Sequence, residues 1–207
     1  MKCFVLSLHR SGTCSTAKFL SGLGFKTKHW PAEHEGKPLQ QDVVGYETDL
    51  GHVTDVISPV LESFDAVTDV PLQVLYGELF KRYPEAKFLL VYRNPFHWVE
   101  SVREHYKGRE FKPYVRVVYW NFFEWRPLRI DELSDAQLVW MHNQHTADVI
   151  RFFEETVPNS LGVFDLCAPD LGNKIATFLG RTATIKFPRF NARKSGEAFA
   201  RSATQAH

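Results

Sequence analysis

The sequence predicts an α/β fold of three layers, α/β/α, with a central parallel sheet. Three observations carry this. Short apolar runs alternate along the chain with helix-like patterns, the arrangement that gives a parallel sheet covered by helices on both faces. The run Lys87-Phe88-Leu89-Leu90-Val91-Tyr92 is continuous and β-rich, as in a strand buried on both faces. The run Cys3 to Leu8 breaks into His9-Arg10-Ser11-Gly12-Thr13-Cys14-Ser15 and then turns helix-like, a strand–turn–helix suited to holding an anion.

The elements follow in order. Residues 3–8 form the first strand, cut off by the polar turn. From Thr13 to Leu23, Ala17, Phe19, Leu20 and Leu23 share a helical face, and Gly24 ends it. Phe25 to Glu62 carries Trp30-Pro31, Gly36, Pro38, Gly45 and Gly51 and is expected to be loops with short helices. Phe64 to Thr68 is the second strand, and Pro71 suits the first turn of a helix running to Arg82. After the strand 87–92, Asn94-Pro95 opens a helix through about Tyr106. The aromatic stretch 113–126 has a helical reading. Ser134-Asp135-Ala136-Gln137 starts a helix that continues to Glu155. Leu161 to Leu166 is a strand, and Asp170 to Leu179 a helix closed by Gly180. No repeat or linker divides the chain, so a single domain is expected over 1–207, with a basic, polar tail from about 192.

A net charge of +1 argues against nucleic acid or an anionic membrane surface as partner, leaving room for a local basic pocket. Three cysteines, Cys3, Cys14 and Cys167, match neither a zinc site nor a disulfide framework and read as free thiols of a reducing compartment. The N-terminal apolar stretch is too short for a signal peptide, and no window approaches the roughly 18 apolar residues of a membrane helix. A cytoplasmic protein is expected.

Two motifs carry chemistry. In the first turn, Gly12 lets the backbone approach a ligand, the helix that follows aims free N–H groups at it, and Arg10, Ser11, Thr13 and Ser15 add charge and hydroxyls. The nucleotide-triphosphatase loop G-x-x-x-x-G-K-[ST] is not matched: Ser7 replaces its first glycine and Thr13 its lysine. The plainer alternative is a junction with a helix cap at Ser11. In the second motif Arg93 ends the best strand, and Ser101 follows on the next helix, both placed to face the crevice at the strands' carboxyl ends.

Together these motifs resemble the sulfotransferases that use 3′-phosphoadenosine 5′-phosphosulfate (PAPS). Arg10-Ser11-Gly12-Thr13-Cys14-Ser15 is similar to that family's [KR]-[ST]-G-T-T loop, and Arg93-Asn94-Pro95 with Ser101 to its later R-[ND]-P…S pattern. Residues 64–102, FDAVTDVPLQVLYGELFKRYPEAKFLLVYRNPFHWVESV, look like the central block of a short branch of the family, and residues 161–191 like its C-terminal end. Residues 25–63 and the middle of the chain match poorly.

The resemblance implies a P-loop-like sulfotransferase fold and transfer of a sulfuryl group from PAPS to a hydroxyl or amine of a small-molecule or glycan acceptor. It implies that Arg10, Ser11, Gly12, Thr13, Cys14 and Ser15 hold the 5′-phosphosulfate, and Arg93 and Ser101 the 3′-phosphate. A late basic segment, here Arg193-Lys194, covers the 3′-phosphate in many relatives; a solvated tail is the alternative. Three departures stand out. Arg10 replaces a lysine and can stabilise charge without donating a proton. Cys14 replaces a threonine. Asp69 occupies the position of the histidine base, with helix capping as its alternative role. His105 and His9 are further candidate bases. His142 and His145 lack a third ligand, and no metal is expected, a sulfuryl group carrying less charge than a phosphoryl group. Trp120, Phe122, Phe123 and Trp125 read as core or homodimer surface ahead of acceptor wall. Two rivals remain: a P-loop kinase acting on a small metabolite, and a non-catalytic nucleotide-binding homologue.

Overall fold

The computed structural model describes residues 1–188. Arg193 and Lys194 lie outside them.

The elements are β1 (Cys3–Val5), α1 (Thr13–Gly22), β2 (Thr27–His29), a hairpin of β3 (Glu33–His34) and β4 (Lys37–Pro38), α2 (Leu50–Ser63), β5 (Ala66–Thr68), α3 (Tyr76–Arg82), β6 (Lys87–Tyr92), α4 (Pro95–Tyr106), α5 (Pro113–Trp120), α6 (Asp135–Thr156), β7 (Leu161–Asp165) and α7 (Leu171–Phe178). Five strands form one parallel sheet in the order β2-β5-β1-β6-β7. Alternation splits the core. Phe4, Phe88 and Leu90 pack with α2 to α6 on one face, whereas Cys3, Val5, Leu89 and Val91 pack with α1 and α7 on the other. This is the three-layer α/β/α arrangement expected. The chain leaves β1 toward one face and leaves β5 and β6 toward the other, which opens a crevice at their carboxyl ends.

Several elements differ from the sequence reading. The ladder of β1 ends at Val5, and Leu6 adds a further bond, its N–H donating to Leu89 O at 2.8 Å. Residues 25–62 are more regular than their prolines and glycines suggested. They hold an edge strand, a hairpin and the 14-residue helix α2, which contains Pro59. Proline cannot donate to the carbonyl four residues earlier. The Ser58 hydroxyl donates to that carbonyl, Asp55 O, at 2.8 Å instead, and Asp49 caps the start by accepting from His52 N–H.

The helix expected from Pro71 begins at Tyr76. Val70–Pro71 is a cis peptide, and a 3-10 turn over Leu72–Val74 intervenes. That tighter path buries Leu72 and Leu75 and lets the Gln73 amide donate to Ser7 O at 2.9 Å, under the loop after β1. The aromatic stretch is helical over α5. Phe123 is core, while Trp125 is exposed. Among the described residues, no helix is long and apolar enough to cross a membrane.

Candidate active site

The site is built where β1, β6 and β5 end side by side. The loop after β1 is pinned first. Ser7, standing where a nucleotide-triphosphatase would have glycine, accepts from Val91 N–H of β6 at 2.7 Å through its hydroxyl. His9 is buried, its Nε2 lying 3.1 Å from the Tyr119 hydroxyl, and its carbonyl accepts from Trp98 Nε1 at 2.8 Å. Its ring sits among Trp98, Tyr106 and Tyr119. Burial pushes the His9 imidazole down to about 3, so it stays neutral and supports the loop. His145 is likewise buried, with Nε2 3.2 Å from Gln73 O, and burial lowers it to about 4. His142 packs against Trp98.

Arg10 follows with φ 65°, left-handed for a residue that bears a Cβ. Two contacts hold it. Arg93 Nη1 donates to the Arg10 carbonyl at 3.2 Å, and Arg10 Nε donates to Ser101 Oγ at 3.2 Å. The residues of the two sequence motifs, far apart in the chain, therefore meet. Gly12 has φ 81° and stands at the N-cap of α1. A Cβ there would lie 2.6 Å from Leu166 Cδ1, so the left-handed backbone favours glycine and any side chain would also have to displace the end of Leu166. The alternative role of Ser11 as a helix cap is not taken up: no side chain caps α1, and Ser11 Oγ is buried without a hydrogen-bond partner among the described residues. Thr13 and Ser15 are buried along the same turn, whereas the Cys14 side chain points to solvent. All three cysteines are free.

Asp69 follows β5, also left-handed, with φ 81°. Its side chain is 16% exposed; Oδ2 lies 3.4 Å from His29 Nε2, and Oδ1 is buried with no hydrogen-bond partner among the described residues. Burial raises its carboxyl above the ordinary range, and His29, the Val70 amide and the Arg10 charge oppose the rise. No side-chain cap bond appears at the start of α3 or of the 3-10 turn before it. His105 lies half-buried one turn beyond Ser101 on α4, and burial, Arg10 and Arg109 lower its imidazole, favouring the neutral form.

Two members of the site escaped the sequence reading. His29 stands at the end of β2, paired in register with Thr68. Tyr106, at the end of α4, has its hydroxyl raised well above the ordinary value by burial and by the Asp69 charge. Neither has a motif. Only the register of an edge strand and the reach of a helix end bring them in.

The arrangement offers a cationic, amide-rich turn beside a carboxylate, a setting for transfer of an anionic group to a nucleophile that must lose a proton. A family model described as a sulfotransferase domain matches residues 2–196. Ava biosynthesis cluster protein M of Aspergillus versicolor is 27% identical over 159 residues, 68% of this chain and 52% of that protein, so the chain spans about half the length of this curated relative. With the family model matching nearly the whole chain and the motif residues joined at the carboxyl ends of β1 and β6, the chain belongs to the sulfotransferase domain family.

Proposed function

We propose that this chain transfers a sulfuryl group from PAPS to a hydroxyl or amine of a small-molecule or glycan acceptor. The observation that carries the reading is the joining of the two motifs: Arg93 on the Arg10 carbonyl and Arg10 on Ser101. The turn fits an anionic donor. Ser11 Oγ is a buried hydroxyl without a hydrogen-bond partner among the described residues, and Gly12, packed against Leu166, makes the tight left-handed turn that leads into the free amides of α1.

The donor supplies the sulfuryl group; an S–O bond to a hydroxyl acceptor, or an S–N bond to an amine, forms as the S–O bond to the bisphosphate breaks. Arg10 and the amides of Gly12 and Thr13 hold the 5′ end and stabilise charge on the departing oxygen, with the Ser11, Thr13 and Ser15 hydroxyls assisting. Cys14 contributes its backbone, since its side chain faces away. Arg93 and Ser101 hold the 3′-phosphate. Asp69 takes the acceptor's proton. Burial raises its carboxyl, which improves it as a base near neutral pH, while His29 and Arg10 keep the charged form accessible. His105 stands by as the alternative base.

Calorimetric titration with 3′-phosphoadenosine 5′-phosphate, against ATP–Mg²⁺ and adenosine 5′-phosphosulfate, tests the reading. Tight, metal-independent binding of the bisphosphate is expected. Arg93→Ala removes charge-assisted hydrogen bonds and should weaken it roughly ten- to hundredfold. Preference for ATP–Mg²⁺ would replace the sulfotransferase with the kinase. Binding without transfer to any acceptor in a broad screen would favour the non-catalytic homologue.

A further inference from the structure

The proposed reaction draws on His29 only for its effect on the Asp69 carboxyl and leaves unexplained how the ring is held and what it does for the carboxylate's direction. In the β2–β5 register it sits directly across from Thr68, and its Nδ1 lies 2.8 Å from Thr68 Oγ1. Thr68 is fully buried, so this contact fixes the ring from below. The other nitrogen, Nε2, lies 3.4 Å from Asp69 Oδ2.

Neighbours along a strand point to opposite faces, so Thr68 and Asp69 would not share one partner if β5 ran on extended. The left-handed φ of 81° at Asp69 turns the chain and returns the carboxylate to the ring that Thr68 holds. A strained backbone at a carboxylate that keeps one oxygen without a hydrogen-bond partner among the described residues marks a site arranged for something other than stability.

We infer that His29 is a positioning residue for Asp69, anchored by Thr68, that aims the carboxylate and favours its charged form. The assignment rests on the reading of Asp69 as the proton acceptor. The groups facing Asp69 are His29 from β2, Arg10 from the loop after β1 and Tyr106 from α4. Of the influences that lower the Asp69 carboxyl, His29 is the foremost. It acts in the same direction whether it carries a charge or only donates Nε2–H, because both stabilise the carboxylate. Its side chain is 34% exposed, against 16% for Asp69, so the pair reaches the surface beside the edge strand β2.

The test needs no knowledge of the acceptor. The 207-residue chain labelled with carboxyl-¹³C aspartate is titrated by NMR, and the Asp69 signal is assigned by its absence in Asp69→Asn. His29→Leu keeps bulk but removes both the charge and the Nε2–H donor. It is expected to raise the Asp69 midpoint by about one pH unit. Thr68→Val, close in shape and suited to a buried strand, frees the ring without removing it and should raise the midpoint by less. Calorimetry with 3′-phosphoadenosine 5′-phosphate runs in parallel, and affinity in both variants should match wild type. Unchanged midpoints in both variants, with the bisphosphate still bound, would overturn the assignment and leave the sulfotransferase reading standing. Failure of the wild type to bind the bisphosphate would overturn the donor reading, and with it the catalytic meaning of the pair, even if the midpoint moved.

Discussion

Replacing Gly12 with alanine tests whether the turn after β1 is held against strain. The position has φ 81° and ψ 19°, the left-handed region, which costs a residue with a Cβ about 1–2 kcal/mol. The new methyl would lie 2.6 Å from Leu166 Cδ1. That atom ends a flexible, half-buried side chain, which can swing aside at about 0.5–1.5 kcal/mol of rotamer cost. Against these stands the stiffer unfolded chain, which favours alanine by about 0.4–1 kcal/mol. The net is a loss of about 2 kcal/mol, which for a chain of this size lowers the melting temperature by roughly 4 to 8 °C. Thermal unfolding of Gly12→Ala, Leu166→Ala and the double variant separates the contributions. The double variant should recover the steric part and keep the backbone part. A cost under about 0.5 kcal/mol, the range of an ordinary surface change, would refute the reasoning. So would full recovery in the Leu166→Ala background.

Two other outcomes are expected. Asp69→Asn should lower the rate of transfer about 10²- to 10⁴-fold, the usual range for a lost general base, while the 3′,5′-bisphosphate still binds; unchanged turnover would move the role to His105. Stability should fall in acid. His9 and His145 titrate at an ordinary 6.5 when unfolded but near 3 and near 4 when folded, so between those values the unfolded chain binds more protons and stability drops as pH falls below 6.5. Melting temperatures across this range should show a shallower decline in His145→Gln than in wild type; parallel curves would exclude the buried imidazole as the cause.

What could be foreseen in the sequence followed from local physics. The strand Lys87–Tyr92 announces itself because both its faces are buried, and the helix after it because Asn94 accepts from the amides of Phe96 and His97 just ahead of an apolar face. The residues proposed to hold the donor could be named because their chemistry is concentrated in two short motifs. The strand Thr27–His29 could not. It is three residues long, polar and half-buried, and it is a strand only because Ala66–Thr68 offers it a partner. The helix Leu50–Ser63 was hidden by Pro59, whose missing hydrogen bond is made good by the neighbouring Ser58 hydroxyl, a compensation that propensity alone does not reveal. His29 was missed with its strand. Asp69 was named for its alignment, but its strained turn and its imidazole partner depend on contacts between strands.

The order of strands carries a consequence for how such a chain can diversify. The segments that meet the sulfuryl donor, on the proposed reading, emerge from β1 and β6, two of the three inner strands, whose neighbours on both sides fix them. Those turned toward the acceptor emerge from β5 and the outermost β2, and the stretch from β2 through α2 is threaded between no other strands. Within that stretch only the exposed hairpin Glu33–Pro38 is free to drift in length and composition, because Val53, Ile57, Val60 and Leu61 of α2 belong to the buried core. On the proposed reading, variation beside the acceptor is therefore confined to a short rim while the donor side stays fixed.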